Sequence, residues 1–391
     1  MLLAAAVLGA TPAAPSSLLE PNAAVNGAAS SSRLVAGAAS GNSTFPRFLF
    51  LKTHKTASSD IANMLHTYVV RHGLTIVQIP MDDPHIDVGR RWDFNDPSVV
   101  RQIAAVNPKP ADVWANHAIF PQDPQNMTRF LVPDAKRLSI VREPVARFVS
   151  AVKWFAPAVV SRLGCSMDNV VREILAQPTQ VARALDLLEK PQSGPFMDPN
   201  TMCLELGILP PECAMREQGF AHPELIAAHL PSDAALQAFL QTWEVLVLEQ
   251  LEASLHSFMT THALAIEDVI TFRFKPDTNI SGCEAYNETQ ISQLSPASRA
   301  AVEAASSCDV RLYNAAVAAL NARKADAQTV AEFAAARANA TAAFVALCQE
   351  PAQQKSRLCQ SKHDDNGPFL SRLQQFYKPT EGAQVLRRAE K

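Results

Sequence analysis

The chain has no excess of charge of either sign. Its 35 Lys and Arg stand against 38 Asp and Glu, a formal net charge of −3 over 391 residues, and no run of like charge breaks the balance. This argues against a broad basic field for nucleic acid, so any anionic ligand must be held by a local cluster. Cys-x-x-Cys spacing is also missing among the seven cysteines, which argues against a zinc ribbon or a thioredoxin-type site. The ordinary ATP-binding loop, G-x-x-x-x-G-K-[ST], is absent, and no carboxylate stands at the strand end where such a loop would place its magnesium ligand. There is no internal repeat. The apolar run Leu2 to Ala10 is too short to span a bilayer. With small residues after it, that run resembles a signal-peptide core without its basic flank, or an Ala-rich tail.

What is present suits a globular protein with a sizeable core: 48% hydrophobic and 19% charged residues. Three disulfides and one free thiol would suit an oxidising lumen. Local pairings Cys203–Cys213, Cys283–Cys308 and Cys348–Cys359 are the simplest expectation. Sequons at Asn42, Asn126, Asn279, Asn287 and Asn339 exceed the roughly two expected by chance and point the same way.

Residues 1–44 read as a disordered tail or stem, and 351–391 as a polar C-terminal extension. Order is expected to begin at the apolar run Phe48 to Leu51, a strand. A helix follows, with its stripe at Ile61, Met64, Leu65, Tyr68 and Val69, its start capped by Ser58 or Ser59 and its end marked by Gly73. Further strands are expected at 74–79, 111–117, 137–141 and 268–274, and 243–251 reads as a buried strand running into a helix with Leu255 and Phe258. Residues 80–110 read as loop. Pro144 opens a helix whose apolar face is Val145, Phe148, Val149 and Val152, and 296–348 is Ala-rich and helical. Alternating strands and helices predict an α/β fold: a P-loop-like open, mostly parallel sheet flanked by helices, with an Ala-rich helical C-terminal part. Ligands of such sheets lie at the carboxyl ends of strands. That rule gathers Thr53 to Ser59, Asn116, His117, Arg142 and Glu249 on one rim.

The loop "THKTASS" turns from a strand into a helix N-terminus, where free N–H groups and the helix dipole favour an anion. Lys55 adds a point charge, and Thr56, Ser58 and Ser59 add hydroxyls. Without glycines the loop should be tight, fitting one phosphate rather than a triphosphate. A second anion clamp stands in "VREPVARFVS": Arg142 ends a strand, and Ser150 lies eight residues further on in the next helix. Two separated clamps suit a 3′,5′-bisphosphorylated adenosine better than ATP. Among accessory groups, Lys52 is a possible helper, Arg147 reads as a solvated face residue, and Trp114, Trp154 and Trp243 read as core.

The two stretches together resemble the donor site of sulfotransferases that use 3′-phosphoadenosine 5′-phosphosulfate. "FLKTHKTASS", "NHAIF", "VLVLEQLEASLHSF" and "DVRLYNAAVAALNAR" resemble, in order, the galactose-3-O-sulfotransferase family. The resemblance implies a sulfotransferase domain over 45–350. It implies Lys55 on the 5′-phosphosulfate, contacts from Thr56, Ala57, Ser58 and Ser59 to the 5′-phosphate, and Arg142 with Ser150 on the 3′-phosphate. His117 would be the general base, with His54 as its rival or as a contact to the sulfonate. No metal is implied. The acceptor would be a galactose-terminated glycolipid or glycan, and the setting the Golgi lumen or membrane. Two alternatives remain at this point: another polysaccharide acceptor sugar, such as a uronic acid or GalNAc, or a P-loop kinase or nucleotide-binding module.

Overall fold

The computed structural model describes residues 45–79, 92–121, 123–176, 198–213, 223–271 and 280–350. The expected tail 1–44 and extension 351–391 lie outside the described residues.

The strands β1 (Phe48–Lys52), β2 (Trp92–Asp93), β3 (Val113–Ile119), β4 (Lys136–Val141) and β5 (Trp243–Val247) form a parallel sheet in the order β2-β3-β1-β4-β5. β1 is buried along its whole length, as expected of a central strand covered on both faces. Its side chains alternate between two cores with the period of a strand. Phe48 and Phe50 join one cluster with Ile61, Leu65, Tyr68, Leu255 and Phe258. Leu49 and Leu51 join the other with Trp114, Val100, Ile103, Leu312 and Leu320. The first core is covered by α1 (Ser58–His72), which follows β1 directly. The chain runs from β1 to β3 on one side and then crosses to β4 on the other, so the crevice beyond the ends of these three strands is a topological switch point.

Helix α1 ends as expected at Gly73, whose φ is +63°. Its start differs from expectation. The N-cap is Ala57 in the left-handed region with no side-chain cap, and the Ser58 hydroxyl donates to the Thr53 carbonyl instead. The strand expected at 74–79 is reduced to a single parallel bridge between Ile76 and Val113. Part of the expected 80–110 loop is α2 (Pro97–Val106), capped by the Asp96 carboxylate accepting from Ser98 N–H, with proline in the first turn. Residues 80–91 lie outside the described part. The strand expected from 268 gives way to a 3-10 turn over Ile266–Asp268, and 272–274 are not described.

After a short helix α3 (Gln125–Thr128) and β4, Pro144 opens α4 (Pro144–Phe155) as predicted, and Val145, Phe148, Val149 and Val152 are all buried. α5 (Pro157–Arg162) and α6 (Met167–Ala176) pack beside it. A five-residue helix, α7 (Thr201–Glu205), lies in the region least legible from sequence. α8 (Pro223–Ala228) and α9 (Asp233–Thr242) lead to β5, and α10 (Leu251–Thr261) follows it. The C-terminal part is α11 (Glu288–Ser292), α12 (Pro296–Ala305), α13 (Ser307–Arg323) and α14 (Ala327–Gln349). α14 is long and apolar enough to cross a membrane by length and composition. It also carries Arg337, which donates to Glu252 on α10 and to Thr271 at 2.7 Å.

Two of the three local disulfides expected, Cys203–Cys213 and Cys283–Cys308, are not formed. Cys165 pairs with Cys283 and Cys203 with Cys308, across 118 and 105 residues of chain, and Cys213 is a buried free thiol. Cys348 is disulfide-bonded, and the expected partner Cys359 lies outside the described residues. Both described bridges tie segments distant in sequence, two loops for Cys165–Cys283 and two helices for Cys203–Cys308, so packing chose the pairs and proximity along the chain did not.

Candidate active site

The loop after β1 is built without glycine yet bends as if it had two. Lys55 and Ala57 carry φ of +64° and +60°. For residues with a Cβ this backbone costs roughly 1–2 kcal/mol each, a strain that persists only where surroundings impose it and that clusters at functional sites. Replacing Ala57 by glycine should therefore raise stability by about 0.5–1 kcal/mol, read as a higher melting temperature.

Hydroxyls of the loop are among its restraints. Thr53 Oγ1 donates to the Ile140 carbonyl of β4 at 2.6 Å, Thr56 Oγ1 lies 2.8 Å from Thr53 Oγ1, and Ser58 Oγ donates to Thr53 O at 2.5 Å. Thr53 and Thr56 are fully buried. The Thr56 and Ser58 hydroxyls thus hold the loop's shape. What the loop offers an anion is the backbone N–H groups of the first turn of α1, the Lys55 ammonium and the half-buried Ser59. Lys55 Nζ lies 4.3 Å from the ring centroid of Trp154 on α4, a cation–π contact. Trp154 is 40% exposed rather than in the core, whereas Trp114 and Trp243 are core residues as expected.

Arg142 lies just beyond the end of β4 and joins this loop directly, donating from Nη1 to the Lys55 carbonyl at 3.2 Å. Burial lowers its pKa, partly countered by Glu249 and Glu143, and leaves a cation with few water contacts. Ser150 is half-buried on α4, one turn before Trp154. Residues four apart share a helix face, so the face that carries Ser150 is the face whose Trp154 meets Lys55. Glu249 accepts from the Glu143 backbone N–H at 3.1 Å and so braces the turn after Arg142. Arg147 is not a solvated residue: it is fully buried, donating to the carbonyls of Asp198 (2.7 Å) and Pro199 (3.1 Å), 3.8 Å from Asp309.

Beside the loop stand two imidazoles. In the β1–β3 register Lys52 lies opposite His117, which brings His117 level with the start of the loop. The rings of His54 and His117 stack with centroids 3.8 Å apart and planes 20° apart. His117 Nδ1 lies 2.9 Å from the Lys52 carbonyl, which can only accept, so Nδ1 carries the proton and Nε2 keeps its lone pair. Asn116 Oδ1 receives the His117 backbone N–H at 2.7 Å. Burial, then the neighbouring His54 and Lys52, hold the His117 pKa well below the usual imidazole range. Sequence reasoning missed the third member, Glu205. It is fully buried at the end of α7, accepts the His54 backbone N–H at 2.9 Å and pairs with His54 Nδ1.

The nitrogen and oxygen atoms of His54, His117 and Glu205 lie within 4.8 Å of one another, close enough in principle for a metal ion. Both Nδ1 atoms are already engaged, however, and the buried Lys52 ammonium opposes a further cation. The cluster suits proton handling: one neutral imidazole with a free lone pair against one imidazole paired to a carboxylate.

A family model described as Galactose-3-O-sulfotransferase matches residues 3–369. Among curated proteins, human galactose-3-O-sulfotransferase 2 is 26% identical over 269 residues, covering 68% of this chain and 58% of the relative. Mouse galactose-3-O-sulfotransferase 3 is 32% identical over 130 residues, 32% of this chain and 27% of the relative. Bovine galactosylceramide sulfotransferase is 27% identical over 145 residues, 36% of this chain and 32% of the relative. The matches thus span between 27% and 58% of these relatives' lengths. No solved structure matches.

Proposed function

The chain belongs to the Galactose-3-O-sulfotransferase family, and from that premise we propose that it transfers a sulfuryl group from 3′-phosphoadenosine 5′-phosphosulfate to the 3-hydroxyl of a galactose at the end of a glycolipid or glycan. The observation that carries the reading is the meeting of two anion-binding segments beside a histidine pair. Arg142 donates to the Lys55 carbonyl, and the His54–His117 stack adjoins the same loop.

The donor is a co-substrate that supplies the sulfuryl group and a bisphosphate leaving group. The residues present fit it. The strained backbone at Lys55 and Ala57, turned into the N-terminus of α1, suits a single 5′-phosphate. Arg142, with Ser150 on α4, suits the 3′-phosphate. His117 Nε2 accepts the proton of the attacking sugar hydroxyl as the new O–S bond forms and the S–O bond to the 5′-phosphate breaks. Lys55 and His54 meet the negative charge on the leaving oxygen and the sulfuryl group. No covalent enzyme intermediate is needed, and holding the partners in line supplies much of the acceleration.

The described disulfides Cys165–Cys283 and Cys203–Cys308 support a setting in the oxidising secretory pathway, which we take to be the Golgi. The exposed sequons at Asn287 and Asn339 agree with it.

Calorimetry tests the donor assignment. 3′-Phosphoadenosine 5′-phosphate should bind without metal, and ATP with Mg²⁺ should bind far more weakly. The reverse order would favour a kinase-like nucleotide site. Arg142→Ala should weaken bisphosphate binding by about 10- to 100-fold, the loss of a charge-assisted contact of about 1.5–3 kcal/mol. Unchanged affinity would remove the second clamp from the account.

A further inference from the structure

Glu205 is a fully buried carboxyl group, and a charge so placed is costly unless it is engaged. It holds one residue at two points: Oε2 accepts the His54 backbone N–H and Oε1 pairs with His54 Nδ1. It therefore fixes the loop backbone and the ring together. The segment that carries it is braced on all sides. Asp309 of α13 accepts from Cys203 N–H at 2.8 Å and Met202 N–H at 3.1 Å, at the start of α7. The Cys203–Cys308 disulfide ties α7 covalently to α13. The Glu205 carbonyl accepts from Phe120 N–H at 2.8 Å, just past the end of β3. Gly207, at φ +68°, lets the chain pass so close that a Cβ there would lie 2.8 Å from the Phe120 carbonyl.

Two stacked imidazoles 3.8 Å apart cannot both carry charge at low cost. Among the described residues, the charged groups facing the pair include Lys52 on β1 and Glu205 on α7; the ring of Phe155 on α4 lies 6.1 Å from His54. The carboxylate touches only one imidazole of the two through its hydrogen bonds, and so breaks their symmetry.

The geometry points to Glu205 as the positioning residue of the site, holding His54 as the proton-donating imidazole that faces the sulfuryl oxygens and leaving His117 as the proton acceptor. This rests on the sulfuryl-transfer reading above. The depressed pKa of His117, in which His54 is the largest cause after burial, agrees with it.

The test compares wild type, Glu205→Gln and Glu205→Asp with labelled donor and a galactoside, across a range of pH. Glu205→Gln keeps the shape and removes the charge. It should lower kcat by about 10- to 100-fold, the usual effect of losing such a supporting partner. Affinity for 3′-phosphoadenosine 5′-phosphate should stay within about threefold. The acid limb of kcat/KM should move to higher pH: without the carboxylate that favours a proton on His54, His117 loses the lowering influence of His54, which outweighs the raising influence of Glu205 lost with it. Glu205→Asp should recover part of kcat. A Gln variant with wild-type kcat and pH profile overturns the inference. So does a loss accounted for by weaker donor binding or a lower melting temperature with the acid limb unmoved. Wild type that neither binds the bisphosphate nor transfers sulfate refutes the functional reading itself, and this inference with it.

Discussion

Replacing Lys55 by alanine should lower kcat by about 100- to 1,000-fold, with the acceptor KM within a few-fold of wild type. On the proposed reading its ammonium meets charge that grows on the leaving phosphate in the transition state. Removing one such preorganised donor costs about 3–4 kcal/mol in comparable oxyanion sites. The structure gives Lys55 a second reason for sensitivity. Its backbone is left-handed, its carbonyl receives Arg142 and its ammonium sits over Trp154. Lys55→Arg should restore only a small part of the rate, since a planar fork on the same strained backbone cannot occupy the position of a compact ammonium. Steady-state kinetics with the bisphosphate affinity measured in parallel separates the two roles. A Lys55→Ala enzyme with near-normal kcat would remove Lys55 from the chemistry.

His117→Ala should lower kcat by about 100- to 10,000-fold, the range of a general base, while leaving bisphosphate affinity nearly unchanged. The pH dependence follows from the direction of its shift. A base must be neutral to act, and burial with His54 and Lys52 nearby holds His117 well below the ordinary value of 6.5. Activity should thus persist as the pH falls through 6.5, and the acid limb of kcat/KM should lie below that value. His54→Ala is the necessary control. If His117→Ala keeps near-full turnover while His54→Ala is inactive, the two imidazoles exchange roles.

Much of this architecture is legible along the chain because its signals are local. The apolar run at Phe48 to Leu51, the helical stripe of α1 closed by Gly73, and Pro144 opening α4 each act within a few residues. α2 had a readable start in Asp96 and Pro97, but the polar, proline-spotted stretch around it masked the signal. Three features were not legible. Glu205 belongs to no motif and reaches His54 across 151 residues, by way of a helix held through α13. The pairs Cys165–Cys283 and Cys203–Cys308 are set by tertiary packing, not by chain proximity. Arg147 looks like a surface residue on the helix pattern, yet carbonyls from Asp198 and Pro199 bury it. In the loop itself the missing glycines suggested tightness. The structure adds that left-handed turns at Lys55 and Ala57 are held by threonine and serine hydroxyls.

The most direct test of the central claim is incubation of the disulfide-intact protein with sulfur-labelled 3′-phosphoadenosine 5′-phosphosulfate and a panel of galactosides, followed by linkage analysis of the product. The account predicts label on the 3-hydroxyl of a terminal galactose, formed without added metal and abolished in His117→Ala. Label on a uronic acid or GalNAc instead, or no transfer to any sugar while ATP with Mg²⁺ binds, would contradict it.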